Sequence, residues 1–214
     1  MIRVTTLESF RRFRDNVTET YDTEEKLIEH IKGEFKGNCK TEIGSAFHFL
    51  IEHKEMDTND ITDFLKFGVI FNTIHFDTAY KHAENISPFV PEIRKSKVFN
   101  TGKYKVEISG CTDVLQGNTL RDTKCKFSAP TYMDYYNSFQ WRIYLSIFGL
   151  DRFLYDIFEF IGYKDEMVKD VSSLVLKQHD PFECIRYEKM ESEILTLIND
   201  FMDWIYFRNL QSFI

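Results

Sequence analysis

One stretch, residues 108–126 with the sequence ISGCTDVLQGNTLRDTKCK, limits the possible folds of this chain more than any other. Just ahead of it and at its start, Val106 and Ile108 alternate with polar residues, which is typical of a strand with one buried face. Glycine and asparagine in the turn at 116–118 supply the positive φ that a tight hairpin connection needs. The stretch therefore predicts a β-hairpin.

The predicted hairpin brings three charged side chains together. Asp113 comes from its first strand, and Asp122 and Lys124 come from its second. Two carboxylates beside an ammonium suit a divalent metal ion and a polarised water. A D…D-x-K triplet also arises by chance in many acidic chains, so this signal is weak on its own.

Length and composition indicate a folded protein. The 214 residues, 43% hydrophobic and 16% aromatic, are enough for one domain with a sizeable core, and favour one domain over two. No apolar run is as long as a membrane span, and the first residues lack the apolar core of a signal peptide. We therefore expect a cytoplasmic protein without a membrane partner.

Charge and cysteine content exclude some functions. The formal net charge of −7 argues against a protein that coats nucleic acid non-specifically, although an enzyme with a local basic groove stays possible. The four cysteines are far apart and form no C-x-x-C pair, so neither a zinc site nor a disulfide framework is indicated. Buried thiols are the preferred interpretation.

The first part of the chain, residues 1–86, is predicted to be helical. Helices are expected within residues 1–40, with Thr23 opening the second of them, and over residues 41–56 and 60–85. The basic cluster at residues 11–14 could contact phosphate, but a solvated helix face is the preferred interpretation. His75 and His82 are interpreted as surface or core histidines.

The predicted helix over 41–56 carries three residues of interest on one face. Gly44, His48 and Glu52 are spaced i, i+4, i+8. Glycine inside a helix costs about 1 kcal/mol relative to alanine, so a close backbone approach or a helix start would account for Gly44. A lone helical histidine is more often structural than a metal ligand.

The second part, residues 87–187, is predicted to be a sheet core with inserted helices. The expected fold is α/β (α+β), with a central mixed sheet of about four to six strands flanked by helices. One helix is predicted over 127–150, with Tyr132, Tyr136, Gln140 and Tyr144 on one face, and another over most of 151–170. Residues 188–214 are predicted to form a C-terminal helix, which completes a single domain.

Four short motifs follow one another along the chain. They are GSAFH at 44–48, GCTD at 110–113, DTK at 122–124 and QWRIY at 140–144. This order resembles that of the PD-(D/E)XK nuclease superfamily, and specifically its RecB-like exonuclease branch, which carries G-x-x-x-H, G-x-x-D, (D/E)-x-K and Q-x-x-x-Y. The combination, with each motif in a suitable element, is far more specific than the D…D-x-K triplet alone. The resemblance implies a restriction-endonuclease-like core.

The resemblance also implies roles for the central residues. Asp113 and Asp122 would be acidic metal ligands, joined by the backbone carbonyl of Thr123 and by the imidazole of His48. Lys124 would orient and help deprotonate the attacking water, or stabilise charge on the phosphate. The expected cofactor is Mg²⁺ or Mn²⁺, because carboxylates with one imidazole suit these ions.

Further residues receive less specific roles from the resemblance. Gln140 and Tyr144 would brace the site or contact the substrate, and Gly44 and Glu52 would lie near it. Glu92 occupies the position of an acidic residue on the first core strand of many members. Arg121 departs from the usual apolar residue before the catalytic aspartate. It would point away from Asp122 on the strand and would be tolerated at a sheet edge or near DNA.

The implied function is a metal-dependent deoxyribonuclease that hydrolyses phosphodiester bonds, acting as an exonuclease in DNA recombination, repair or phage DNA metabolism. Its partner would be DNA, with a separate helicase or recombination protein, because no helicase motif is present. Self-association into a homo-oligomer stays open. No iron–sulfur cluster is expected, since only Cys184 lies in the C-terminal region. The alternatives are a structure-specific endonuclease or RNA nuclease of the same fold, or a non-catalytic nucleic-acid-associated interaction module.

Overall fold

The computed structural model describes residues 1–53 and 56–214, and in these residues a seven-stranded mixed sheet is flanked by eight α-helices. The strands are β1 (Ile2–Arg3), β2 (Val90–Asn100), β3 (Lys105–Gln116), β4 (Thr119–Lys126), β5 (Arg152–Ile161), β6 (Val175–Gln178) and β7 (Phe182–Ile185). The helices are α1 (Val4–Arg14), α2 (Glu24–Lys32), α3 (Cys39–Glu52), α4 (Thr58–Leu65), α5 (Thr73–Asn85), α6 (Tyr132–Asn137), α7 (Phe139–Phe148) and α8 (Met190–Phe207). The α/β class is confirmed, and the sheet has more strands than the four to six expected.

The sheet combines an antiparallel meander with a parallel crossover. β2, β3 and β4 pair antiparallel in sequence order, and β5 then pairs parallel to β4. Two parallel neighbours need a crossover connection, which α6 and α7 provide. β6 and β7 pair antiparallel to β5, and β1 pairs parallel to β3. The segment predicted to be purely helical, residues 1–86, thus also contributes a short strand.

Each face of the sheet is covered by its own hydrophobic cluster. The first cluster holds α1, α2, α7 and α8 against the sheet, with Trp141 and Phe201 fully buried. The second holds α3, α4 and α5 against the opposite face, with Phe47 and Phe160 fully buried. Among the described residues, we find no helix with the length and hydropathy of a membrane span.

The predicted hairpin is confirmed. β3 and β4 are joined by Gly117, whose φ is 55°, and Asn118.

The predicted capping residues at helix ends are also confirmed. The Thr23 hydroxyl caps α2 by accepting a hydrogen bond from the amide of Lys26, and Gly149 ends α7 in the left-handed conformation.

The helix predicted over residues 151–170 is wrong, because residues 152–161 form β5. All residues from 153 to 160 are buried, since this strand lies between neighbours and is covered on both faces. A strand buried on both faces shows a continuous apolar run instead of alternation, and periodicity cannot separate such a run from a buried helix.

Two other predicted helices are each divided in the structure. The helix over 60–85 becomes α4 and α5, with Gly68 at a φ of 64° between them. The helix over 127–150 becomes α6 and α7, divided at Ser138, whose extended backbone and hydroxyl cap α7. Tyr132 and Tyr136 are therefore exposed on α6 and do not continue the face of α7.

Arg121 does not lie at an edge of the sheet. β4 lies between β3 and β5, and Arg121 is buried with two contacts to the Asp156 carboxylate, 2.7 and 2.5 Å long. His82 reaches the same carboxylate, with its Nε2 3.5 Å away. His75 is buried too, and its Nε2 lies 3.0 Å from the carbonyl of Leu174. Both histidines belong to the core.

We predict that Asp156→Ala will lower the free energy of unfolding by about 3–5 kcal/mol, because Arg121 would be left buried without its partner. Urea denaturation measures the change. The matched control is Asp63→Ala, which breaks an exposed pair with Lys66 and should cost about 1 kcal/mol or less. A similar small loss for both variants would contradict a structural role for the buried pair.

Candidate active site at the split between β3 and β4

A gap in the strand pairing of β3 creates the candidate site. β2 occupies one edge of β3 along nearly its whole length. β1 and β4 therefore share the other edge, where β1 pairs at Ile108 and Ser109 and β4 pairs only from Val114 onward. Residues 110–113 are left on that edge without a described strand partner, and this gap is called the split below.

The Asp113 side chain replaces the missing strand partner. Its Oδ2 accepts a hydrogen bond of 2.8 Å from the backbone amide of Thr123 in β4. The neighbouring Thr112 hydroxyl donates to the carbonyl of Arg121 at 3.3 Å. Buried backbone groups need such partners, so these side chains hold the two strands together where the ladder stops.

His48 reaches the same carboxylate from the other side of the split. It projects from α3, and its Nδ1 lies 3.4 Å from Asp113 Oδ2. Burial lowers the pKa of His48, and it outweighs the opposing effects of Asp113 and of a backbone hydrogen bond with Thr123. The imidazole is therefore neutral at neutral pH, which is the form that binds metal ions.

Asp122 and Lys124 form a close ion pair on β4. They are two residues apart on a strand and so share one face. The Lys124 Nζ lies 2.6 Å from Asp122 Oδ2, and the amide of Gln140 in α7 donates to Asp122 Oδ1 at 3.1 Å. The structure thus brings together the two motifs that the sequence separates by 15 residues.

Burial and neighbouring charges set the ionisation of this pair. Burial raises the pKa of Asp122 to about 7; the Lys124 ammonium opposes the rise and the Asp113 carboxylate adds to it. Burial lowers the pKa of Lys124, but Asp122 and Asp113 together outweigh it, so its pKa lies above the usual value. Lys124 is accordingly an ammonium ion and a hydrogen-bond donor at neutral pH.

Glu52 and Glu92 form an acidic rim beside Asp113. Glu92 lies between the register pairs Pro91–Val114 and Ile93–Thr112, which is the position opposite Asp113. Its φ of 48° is unusual for a residue other than glycine and costs of the order of 1 kcal/mol. Burial, followed by the charges of Glu92 and Asp113, raises the pKa of Glu52 to about 8.

Tyr144 braces the backbone of the split. Its hydroxyl donates to the carbonyl of Cys111 at 2.8 Å. The ring lies so close to Gly110 that an added Cβ there would overlap Tyr144 Cε1. The motif glycine is therefore required by packing.

Gly44 has a weaker structural reason. It lies inside α3, which begins at Cys39, so the helix-start interpretation is wrong. The helix does approach β4 here, but an added Cβ would meet Cys125 Cβ at 3.7 Å, an ordinary contact.

The donor set has the chemistry of a site for a hard divalent cation. Two carboxylates, a neutral imidazole and the carbonyl of Thr123 are the ligand types that Mg²⁺ and Mn²⁺ accept. Asp122 Oδ2 is buried and accepts no aligned hydrogen bond from a described residue. Within the described residues, however, no three His, Cys, Asp or Glu side chains converge closely enough to hold a metal ion. Instead, the Lys124 ammonium lies against Asp122.

Sequence reasoning did not identify Glu8 as part of this region. Its Oε2 accepts a 2.7 Å hydrogen bond from the amide of Phe139 at the start of α7, the helix that carries Gln140. Its Oε1 pairs with Arg11. The partners Glu8 and Phe139 are far apart in sequence, and no local pattern marks the contact.

Comparison with known proteins adds little. No family model matches the chain, and no curated protein sequence matches it. One solved structure, titled "Crystal structure of SSO0001", is similar over 85% of this chain and 83% of that chain, with 16% sequence identity and a TM-score of 0.40. A likeness at that level carries no argument about function.

We predict that Gly110→Ala will destabilise the protein by about 1–3 kcal/mol, because the new methyl group must displace the Tyr144 ring. Tyr144→Phe is the matched variant, since it keeps the ring and removes only the hydroxyl, and should cost about 1 kcal/mol. Thermal and urea denaturation compare the two. If Gly110→Ala proves neutral, the close packing of the ring on Gly110 is refuted.

Proposed function

We propose that this protein is a divalent-metal-dependent nuclease of the PD-(D/E)XK type that hydrolyses phosphodiester bonds of DNA as an exonuclease. One observation carries the proposal: at the split, the pair His48–Asp113 is joined by a hydrogen bond to Thr123 of β4, and the pair Asp122–Lys124 lies on either side of Thr123 in the same strand. Surface salt bridges of no function would not require a half-buried imidazole and a buried carboxylate at the same strand opening.

The positions of the motifs support the same proposal. The G-x-x-x-H residues lie on α3, the G-x-x-D and D-x-K residues lie on β3 and β4, and the Q-x-x-x-Y residues lie on α7. The last motif is connected to the others by contacts, because Gln140 bonds Asp122 and Tyr144 bonds the backbone beside Asp113.

The metal would be held by Asp113, Asp122, His48 and the carbonyl of Thr123. When bound, a divalent ion neutralises charge on the phosphate and lowers the pKa of a bound water, so that hydroxide forms near neutral pH. Binding of an ion by these residues would require Lys124 to release Asp122 Oδ2, which it contacts in the structure. The hydrogen bond from Gln140 to Asp122 Oδ1 would limit the rotation of that carboxylate.

Lys124 acts on the phosphate in this proposal. Its raised pKa keeps it charged, so it donates to a non-bridging oxygen as the water oxygen bonds to phosphorus and the leaving oxygen departs. The pKa of Glu52, about 8, keeps that carboxyl largely protonated at pH 7, which reduces the repulsion that a phosphate meets at the acidic rim.

We predict that Asp122→Asn and Lys124→Met will each lower the rate of DNA hydrolysis at least about 100-fold. The first removes a charged ligand of the proposed metal ion, and the second removes the ammonium that stabilises charge on the phosphate. The assay uses end-labelled linear DNA, closed circular DNA and RNA in Mg²⁺, Mn²⁺ and EDTA. Asp63→Asn, on the exposed part of α4, is the control and should keep full activity.

The substrates separate the possible activities. Metal-dependent loss of linear DNA alone supports exonuclease action, cutting of the circle indicates an endonuclease, and loss of RNA alone indicates a ribonuclease. If the wild-type protein cleaves none of them, or if the site variants cleave as fast as the wild type, the proposed nuclease function fails.

We also predict that Mn²⁺ will raise the melting temperature of the wild-type protein, because an ion that binds only the folded state stabilises it by mass action. At a hundredfold excess over its dissociation constant the gain is about 2.7 kcal/mol. The shift should disappear in Asp113→Asn and His48→Ala and persist in Asp63→Asn. An equal shift in all four proteins would locate the ion elsewhere.

A further inference from the structure

A polar cavity lies beside the split, at the N-terminal end of α1. Its volume is about 280 Å³, and its lining includes Arg3, Thr5, Arg94, Ser109 and Tyr144. Tyr144 and the neighbouring Cys111 connect it to the candidate active site, since the Tyr144 hydroxyl holds the Cys111 carbonyl two residues before Asp113.

Two arginines flank this cavity from opposite sides of β3. Arg3 pairs with Ser109 from β1, and Arg94 pairs with Cys111 from β2. Both side chains belong to exposed residues, and neither makes an ion pair or hydrogen bond with any residue that the structure describes. The other arginines of the described chain all contact a carboxylate or a backbone carbonyl, as Arg121 and Arg142 do.

The N-terminus of α1 adds backbone donors. The first amides of a helix have no partner within it, and the helix dipole makes this end favourable for anions. In α1, which has 11 residues, the N-cap is Arg3 without a side-chain cap, and the first turn contains no acidic residue.

Ser109 gives independent evidence for a ligand. It is only 3% exposed, and its hydroxyl has no hydrogen-bond partner among the described residues. A buried hydroxyl without a partner is unfavourable. Guanidinium groups, helix amides and a hydroxyl are all donors, so the complementary ligand is an oxyanion with several acceptor oxygens.

We propose that this cavity binds a phosphate group of the nucleic-acid strand whose scissile phosphodiester lies at Asp113 and Asp122. The proposal rests on the proposed nuclease function for the identity of the strand. Gly110 at the cavity and Asp113 at the candidate active site are three residues apart on β3, which is about 10 Å, so one strand can contact both. The bound phosphate fixes the position of the strand relative to the metal ligands.

Fluorescence anisotropy with a labelled single-stranded DNA oligonucleotide in EDTA tests the site without cleavage. Arg3→Gln and Arg94→Gln should each weaken binding about tenfold and reduce the slope of log affinity against log salt by about 1. Arg152→Gln is the control, because Arg152 is exposed at the start of β5 and should leave binding unchanged.

Ser109→Ala separates binding from folding. The Ser109 hydroxyl makes no hydrogen bond to a described residue, so its removal should leave the melting temperature unchanged or higher. Binding of the oligonucleotide should nevertheless weaken about threefold, in the range of a single neutral hydrogen bond. Oligonucleotide affinity equal to wild type in Ser109→Ala, Arg3→Gln and Arg94→Gln overturns the proposal.

The source of the phosphate is determined by comparing a 5′-phosphorylated oligonucleotide, its 5′-hydroxyl form and a circular single strand. An effect of the arginine variants on the phosphorylated form alone assigns a terminal phosphate, and an equal effect on all three assigns an internal one.

If the wild type cleaves nothing but its binding depends on Arg3 and Arg94, the phosphate site stands and the nuclease function fails. Cleavage with unaffected variants, or no binding of the oligonucleotide by the wild type, overturns the phosphate site.

Discussion

The hydrogen bond from the Thr123 amide to the Asp113 carboxylate is the contact on which the candidate site depends. β3 and β4 stop pairing at Val114, and an open strand edge leaves backbone groups that must be satisfied. Asp113, Thr112 and Tyr144 satisfy them with side chains. The same opening in the sheet therefore exposes a carboxylate, fixes its orientation and gives His48 access to it from α3.

β4 carries charge on both of its faces. On the face toward the second hydrophobic cluster, Arg121 pairs with Asp156, and on the face toward the first, Asp122 pairs with Lys124. In the pair Arg121–Asp156, both side chains are buried and two contacts join the guanidinium to the carboxylate. The pair Asp122–Lys124 is less well matched. Burial raises the pKa of Asp122, and its Oδ2 atom accepts no aligned hydrogen bond from a described residue. A buried ion pair of this kind is weak evidence for stability, and a carboxyl group whose pKa is raised by burial is typical of functional sites, which motivates the proposed role of Asp122.

The split also explains why the phosphate cavity and the carboxylate cluster are neighbours. β1 ends at Arg3, directly before α1. Arg3 pairs with Ser109 of β3, so the unpaired edge of β3 starts at Gly110. Helix amides and arginines thus face one end of the split, and carboxylates face the other. Under the proposed function, this arrangement would let a chain with a net charge of −7 bind a polyanion, because two arginines lie at one end of the split and the proposed metal ion would supply more positive charge.

The sequence by itself determined the elements whose signals are local. The Gly117-Asn118 hairpin, the Thr23 cap, the C-terminal helix and the motif order all follow from neighbouring residues. It did not determine β5, because a strand buried on both faces loses the alternation that identifies strands. The burial of Arg121 also depended on β5, since Asp156 is on that strand. Tertiary structure alone decided that His48 contacts Asp113 at the split, that Gln140 contacts Asp122 and that Arg3 and Arg94 flank β3, because those contacts join residues distant in sequence.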